Sequence, residues 1–80
     1  MRYLNGLTEQ PFKSTNKIDL AHELYNTSWV KSDSLDIYEW CRGASLRLYQ
    51  IKDIRLVYVD DDLESFIDAL IENNIIMEIH

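Results

Sequence analysis

Residues Ile54 to Ile79 read IRLVYVDDDLESFIDALIENNIIMEI, and the period of their apolar residues changes twice along the way. From Ile54 to Val59 the pattern alternates and is rich in β-branched and aromatic side chains, which predicts a strand. Ile54, Leu56 and Tyr58 fall on one face of it, and Arg55, Val57 and Val59 on the other. From Leu63 the spacing turns helical, with Leu63, Phe66, Ile67, Leu70 and Ile71 at i, i+3, i+4, i+7 and i+8, the clearest amphipathic helix in the chain. Asn73 and Asn74 suit its end because asparagine tolerates the left-handed C-cap conformation. The run IIMEI then predicts a closing strand. Between strand and helix stand Asp60, Asp61, Asp62 and Glu64. Asp61 is expected to cap the helix with Glu64 as its capping-box partner, and Asp62 to meet the positive end of the helix. Asp60 is left over, free to face outward.

The upstream residues complete a fold. Asn5-Gly6 is the strongest short turn signal and predicts a type I′ hairpin joining RYL to LTE, with Pro11 ending the second strand. Asn16, with Asp19 three residues on, opens a helix over 16–27 carried by Ile18, Ala21, Leu24 and Tyr25. TSWVKSDS ends that helix, and Trp29 and Val30 are read as a plug that packs the connection onto the core. A second helix is expected from Ser32–Ser34, with Ile37, Cys41, Ala44 and Leu48 as its apolar stripe, widened by Tyr38 and Trp40. Gly43, beside Ala44, points to a bend or to close approach by a neighbour. The result is a single α+β domain over residues 1–80, with three helices on a three- to four-stranded sheet in the order ββααβαβ.

Charge is distributed unevenly. Of 80 residues, all eight Lys and Arg lie before position 56, whereas Asp60, Asp61, Asp62, Glu64, Asp68, Glu72 and Glu78 follow it with no cation. That third disfavours nucleic acid and anionic membrane as direct contacts and favours a partner protein with a basic surface. No apolar run approaches the ~20 residues of a membrane helix, and the N-terminus lacks the apolar region of a secretory signal. One cysteine excludes an internal disulfide framework and a Cys-based zinc site. The chain is expected in the cytoplasm.

Catalytic and metal chemistry find little to work with. His22 and Asp19 share a helix face without further ligands, and the aspartate run lacks calcium-loop spacing and its glycine. Cys41 lies on an apolar stripe, and no nucleophile elbow or phosphate loop is present. A chain this small is also expected to lack a substrate pocket of ordinary volume. No enzyme activity, cofactor or metal is therefore expected. The helix pair over 16–50 has the rough layout of a helix-turn-helix, but Asp36 and Glu39 stand where base edges would be approached, offset only by Arg42 and Arg47.

IDLAHELYNTSW, DSLDIYEWCRGASLR, the Ile54-Arg55 pair and FIDALIENNII together resemble short proteins encoded by phages and integrated mobile elements. Asp19, Leu20, Leu24, Ser28, Trp29, Leu35, Tyr38, Ala44, Arg47, Ile54, Arg55, Phe66 and Leu70 carry the likeness. Asp53 and Asn74 stand where that pattern has glycine. The resemblance attaches no activity. It implies a context in which small acidic proteins, anti-CRISPR inhibitors among them, occlude basic nucleic-acid grooves of host defence complexes. The expectation is a non-enzymatic inhibitor that binds another protein through Asp60, Asp62, Glu64, Asp68 and Glu72, with Tyr58 as an aromatic contact. An immunity or antitoxin protein facing a basic toxin, and a helix-turn-helix regulator, are the alternatives.

Overall fold

A computed structural model describes residues 2–27 and 36–79. In chain order they form strand β1 (Arg2–Asn5), helices α1 (Lys17–Thr27), α2 (Ile37–Lys52) and α3 (Leu63–Glu72), and strand β2 (Ile76–Ile79). β1 and β2 pair antiparallel with Arg2 opposite Ile79 and Asn5 opposite Ile76, so the two ends of the chain make a two-stranded sheet. The α+β character is as expected, on a smaller sheet than the sequence pattern suggests.

The Asn5-Gly6 turn has a different form from the one expected. The chain does return beside β1, through a single bridge between Leu4 and Pro11 and through bonds from the Asn5 amide to Gln10 O and the Phe12 amide to Tyr3 O. The reversal is wider than a two-residue turn. Asn5 Oδ1 accepts from the Leu7 and Thr8 amides at 2.8 and 3.2 Å, and it is Glu9, at φ 62°, that takes the left-handed conformation. Gly6 has no positive φ, which a type I′ turn requires. Its role is steric. A Cβ on Gly6 would lie 2.0 Å from the Asn74 carbonyl oxygen, because the Gly6 amide closes onto Ile75 O at 2.8 Å. Of the bend or close approach expected at Gly43, the close approach is not seen among the described residues, where a Cβ would meet nothing within 4 Å.

Each helix has a local reason to start and stop. Asn16 Oδ1 accepts from the Asp19 amide at 2.9 Å while its amide group donates to Asp19 Oδ2, a reciprocal cap at the predicted place. α2 is capped by Asp36, whose carboxylate accepts from the Glu39 amide at 2.8 Å. The start expected at Ser32–Ser34, and the Trp29-Val30 plug, lie outside the described residues. Asp53 (φ 56°) ends α2 and Asn74 (φ 62°) follows the end of α3, both left-handed. At α3 the Asn74 amide bonds to Ile71 O and the Ile75 amide to Leu70 O, a Schellman arrangement that satisfies the last carbonyls. The two positions where the resembled pattern has glycine are thus two that adopt the conformation glycine favours.

The core gathers Tyr3 from β1, Leu20 and Ala21 from α1, Trp40 and Cys41 from α2, Phe66, Ile67 and Leu70 from α3, and Ile76 from β2. Burial of side chains such as Leu20, Phe66 and Ile67 stabilises by about 1.5–3 kcal/mol each. An aromatic chain crosses it. Trp40 meets Tyr25 and Phe66 edge-on at 5.8 Å, and Tyr58 meets Phe66 at 5.2 Å.

The segment Ile54–Val59 is not a strand in this structure. Its alternation is nevertheless real. Ile54, Leu56 and Tyr58 are half-buried, and Arg55, Val57 and Val59 are exposed. The apolar pattern sets which side chains turn inward, but a ladder also needs a neighbouring backbone, and β1 is occupied by β2 and the Pro11 bridge.

Candidate functional site

The acidic residues of the C-terminal third divide by what the fold does with them. Val59 to Asp62 form a tight turn closed by the Asp62 amide on Val59 O at 3.2 Å, with Asp61 at φ 62° in its third position. A positive φ there favours glycine or asparagine, and aspartate is among the residues that tolerate it. The turn consumes Asp61, so the helix cap falls one residue later than the sequence suggests. Asp62 is the N-cap, accepting from the Ser65 amide at 3.1 Å. Glu64 lies in the first turn of α3 but not at the capping-box position, which Ser65 fills. The Ser65 hydroxyl accepts from the Val59 amide at 2.7 Å and ties the turn to the helix.

Beyond the cap, Glu64, Asp68 and Glu72 stand four residues apart and are all exposed. They form one stripe on the solvent side of α3, opposite buried Phe66, Ile67 and Leu70. Like charges at i,i+4 destabilise a helix by about 0.2–0.5 kcal/mol per pair, and α3 contains no cation to offset them. Two cations arrive from elsewhere. Lys17, in the first turn of α1, pairs with Asp68, and the carboxylate holds its ammonium above the ordinary value. Arg42 of α2 stands 3.9 Å from Asp61. Both contacts are open to solvent on at least one side and contribute little to stability. Neither could be read from the sequence, because only the packing of α1 and α2 beside α3 creates them.

Of the six residues expected to meet a partner, Asp60, Glu64 and Glu72 are exposed with no ion pair among the described residues. Asp62 spends its carboxylate on the cap, and Asp68 is shared with Lys17. Tyr58 is half-buried with its ring against Phe66, so it anchors the turn as well as bordering the acidic face.

Two further features bear on chemistry. Cys41 is buried, and desolvation pushes its thiol up to about 12, against a small opposing effect of Arg42. It therefore stays protonated and inert at neutral pH. The expectation of little pocket space is corrected by an apolar cleft of about 680 Å³ between α2 and the start of β2, walled by Phe12, Leu24, Trp40, Leu48 and Ile75. Arg47 is the one ionisable side chain on its walls among the described residues, and no acid–base pair or nucleophile among them faces it. No three His, Cys, Asp or Glu among the described residues converge on a metal-sized site. No helix among them is long and apolar enough to cross a membrane.

Comparison with protein-family models, with curated proteins and with solved structures finds no match to this chain.

Proposed function

We propose that this protein is a small cytoplasmic, non-enzymatic inhibitor that binds a protein with a basic surface through the acidic side of α3. One observation carries the reading. Glu64, Asp68 and Glu72 stack like charges on one helix face, beside Asp60, in a third of the chain that has no Lys or Arg. The arrangement costs helix stability, and of the three stripe carboxylates only Asp68 has a cation beside it, Lys17, among the described residues. Opposite a Lys/Arg-rich groove the same stripe becomes favourable, speeding association and excluding a competing polyanion. That is how an anti-CRISPR-like protein would block a nucleic-acid-binding defence complex, the context the sequence resemblance implies. An immunity protein facing a basic nuclease would use the same chemistry.

The test is a pull-down from the native host with two baits, the wild-type chain and the variant Asp60→Asn, Glu64→Gln, Asp68→Asn, Glu72→Gln. Mass spectrometry should find a protein retained by the first and lost from the second, and that protein's nucleic-acid binding should fall when wild-type chain is added. Equal retention by both baits would refute the acidic-face reading.

A further inference from the structure

The acidic-face reading leaves Ile54–Val59 unused. The segment alternates inward and outward like a strand, and Val57 and Val59 remain 80% and 64% exposed. Its two ends are fixed, the Ile54 amide on Leu48 O at 3.2 Å and the Val59 amide on Ser65 Oγ. Between them the amides of Arg55, Leu56, Val57 and Tyr58 form no hydrogen bond with another described residue. A segment of alternating burial whose backbone amides have no partner among the described residues is a template for pairing with another chain. Natural edges are blunted by a central charge, a proline or a bulge, and none of these interrupts Leu56–Val59.

The charges at the two ends select the occupant. Lys52 and Arg55 stand at the N-terminal end, while Asp60, Asp61 and Asp62 stand at the C-terminal end. A second copy of the same segment, laid antiparallel, brings the basic end of each copy to the acidic end of the other, twice over. A parallel arrangement would set like charges together. Two-fold symmetry keeps the same face of both strands on the same side, so residues of equal parity must oppose each other. With Val57 on the axis, Leu56 meets Tyr58 and Arg55 meets Val59, and the turn that follows Val59 carries Asp60 and Asp61 beside the other copy's Arg55. Apolar residues then pair along the middle and opposite charges lie at both ends.

We infer that Ile54–Val59 is a dimerisation strand, pairing antiparallel with the same segment of a second copy. This interface shares Tyr58 and Asp60 with the expected partner surface and leaves Glu64, Asp68 and Glu72 open.

Sedimentation velocity from about 5 to about 500 μM tests the inference on the wild-type chain and three variants. The wild type should shift towards twice the monomer mass, with the Arg55–Tyr58 amides gaining concentration-dependent protection from hydrogen exchange. Val57→Lys places two cations on the axis without touching the core, and should stay monomeric with an unchanged circular-dichroism spectrum. Lys52→Glu/Arg55→Glu and Asp60→Lys should each weaken dimerisation at least about tenfold, and their equimolar mixture should recover it. A wild type that stays monomeric throughout, a Val57→Lys chain that dimerises like wild type, or a mixture that fails to recover would each overturn it.

Discussion

The two glycines make opposite predictions about one substitution. In Gly6→Ala the new methyl would sit 2.0 Å from Asn74 O, 2.9 Å from Asn74 C and 3.0 Å from Ile75 C. All three are backbone atoms, so no side chain can swing away, and β1 must separate from the turn that leads into β2. The Gly6–Ile75 hydrogen bond of 2.8 Å opens with it. Losing that bond removes about 1 kcal/mol, and the forced backbone shift adds about 1–3 kcal/mol. A domain of this size has roughly 4–12 kcal/mol in all. Gly43→Ala, by contrast, fills open space inside α2 and should stabilise by about 1 kcal/mol. Thermal unfolding followed by circular dichroism should show Gly6→Ala lowered by at least about 10 °C and Gly43→Ala raised by about 4–8 °C. A Gly6→Ala chain that melts within about 2 °C of wild type would refute the close approach, and with it the register that brings β1 to the end of α3.

Other consequences are as direct. Asp62→Ala should lose about 1 kcal/mol through its cap while Asp60→Ala changes stability little in urea titration, and an Asp62→Ala chain as stable as wild type would refute the cap. Asp53→Gly and Asn74→Gly should each stabilise by about 0.5–1 kcal/mol in the same titration, because both positions are left-handed. Glu23 accepts from the Ser14 hydroxyl and from the Lys13 and Ser14 amides; burial opposes its ionisation, but those bonds prevail and hold its carboxyl below the ordinary value. Its contribution is present above the unfolded carboxylate pKa and is lost as pH falls through the lower folded value, so Glu23→Gln should lose stability at pH 7 and differ little from wild type near pH 2. Electrophoretic mobility shift with duplex DNA at micromolar protein should show no complex, and a shift would favour the helix-turn-helix alternative.

Much of this structure was legible in local pattern, because helix periodicity, caps and alternation are written within a few residues. The α3 stripe, the Asn16–Asp19 cap and the closing strand are examples. Where two local demands compete, local pattern alone leaves the position open by one residue. Asp61 and Asp62 are both good caps, and only the left-handed turn that occupies Asp61 decides between them. Non-local features left no trace. Nothing near Gly6 announces the carbonyl of Asn74, nothing near Lys17 names Asp68, and the alternation of Ile54–Val59 could not say that β1 was already paired. The candidate site shows the same division: its charge was plain, but which acids the fold consumes was not.

The central claim is that Asp60 and the α3 stripe of Glu64, Asp68 and Glu72 create the binding surface. It is tested most directly by the salt dependence of affinity for the captured partner, wild type against the fourfold-neutralised variant. The account predicts that wild-type affinity falls steeply as salt rises, and that the variant binds at least about tenfold more weakly with a shallow slope. Equal affinities with equal slopes would contradict it.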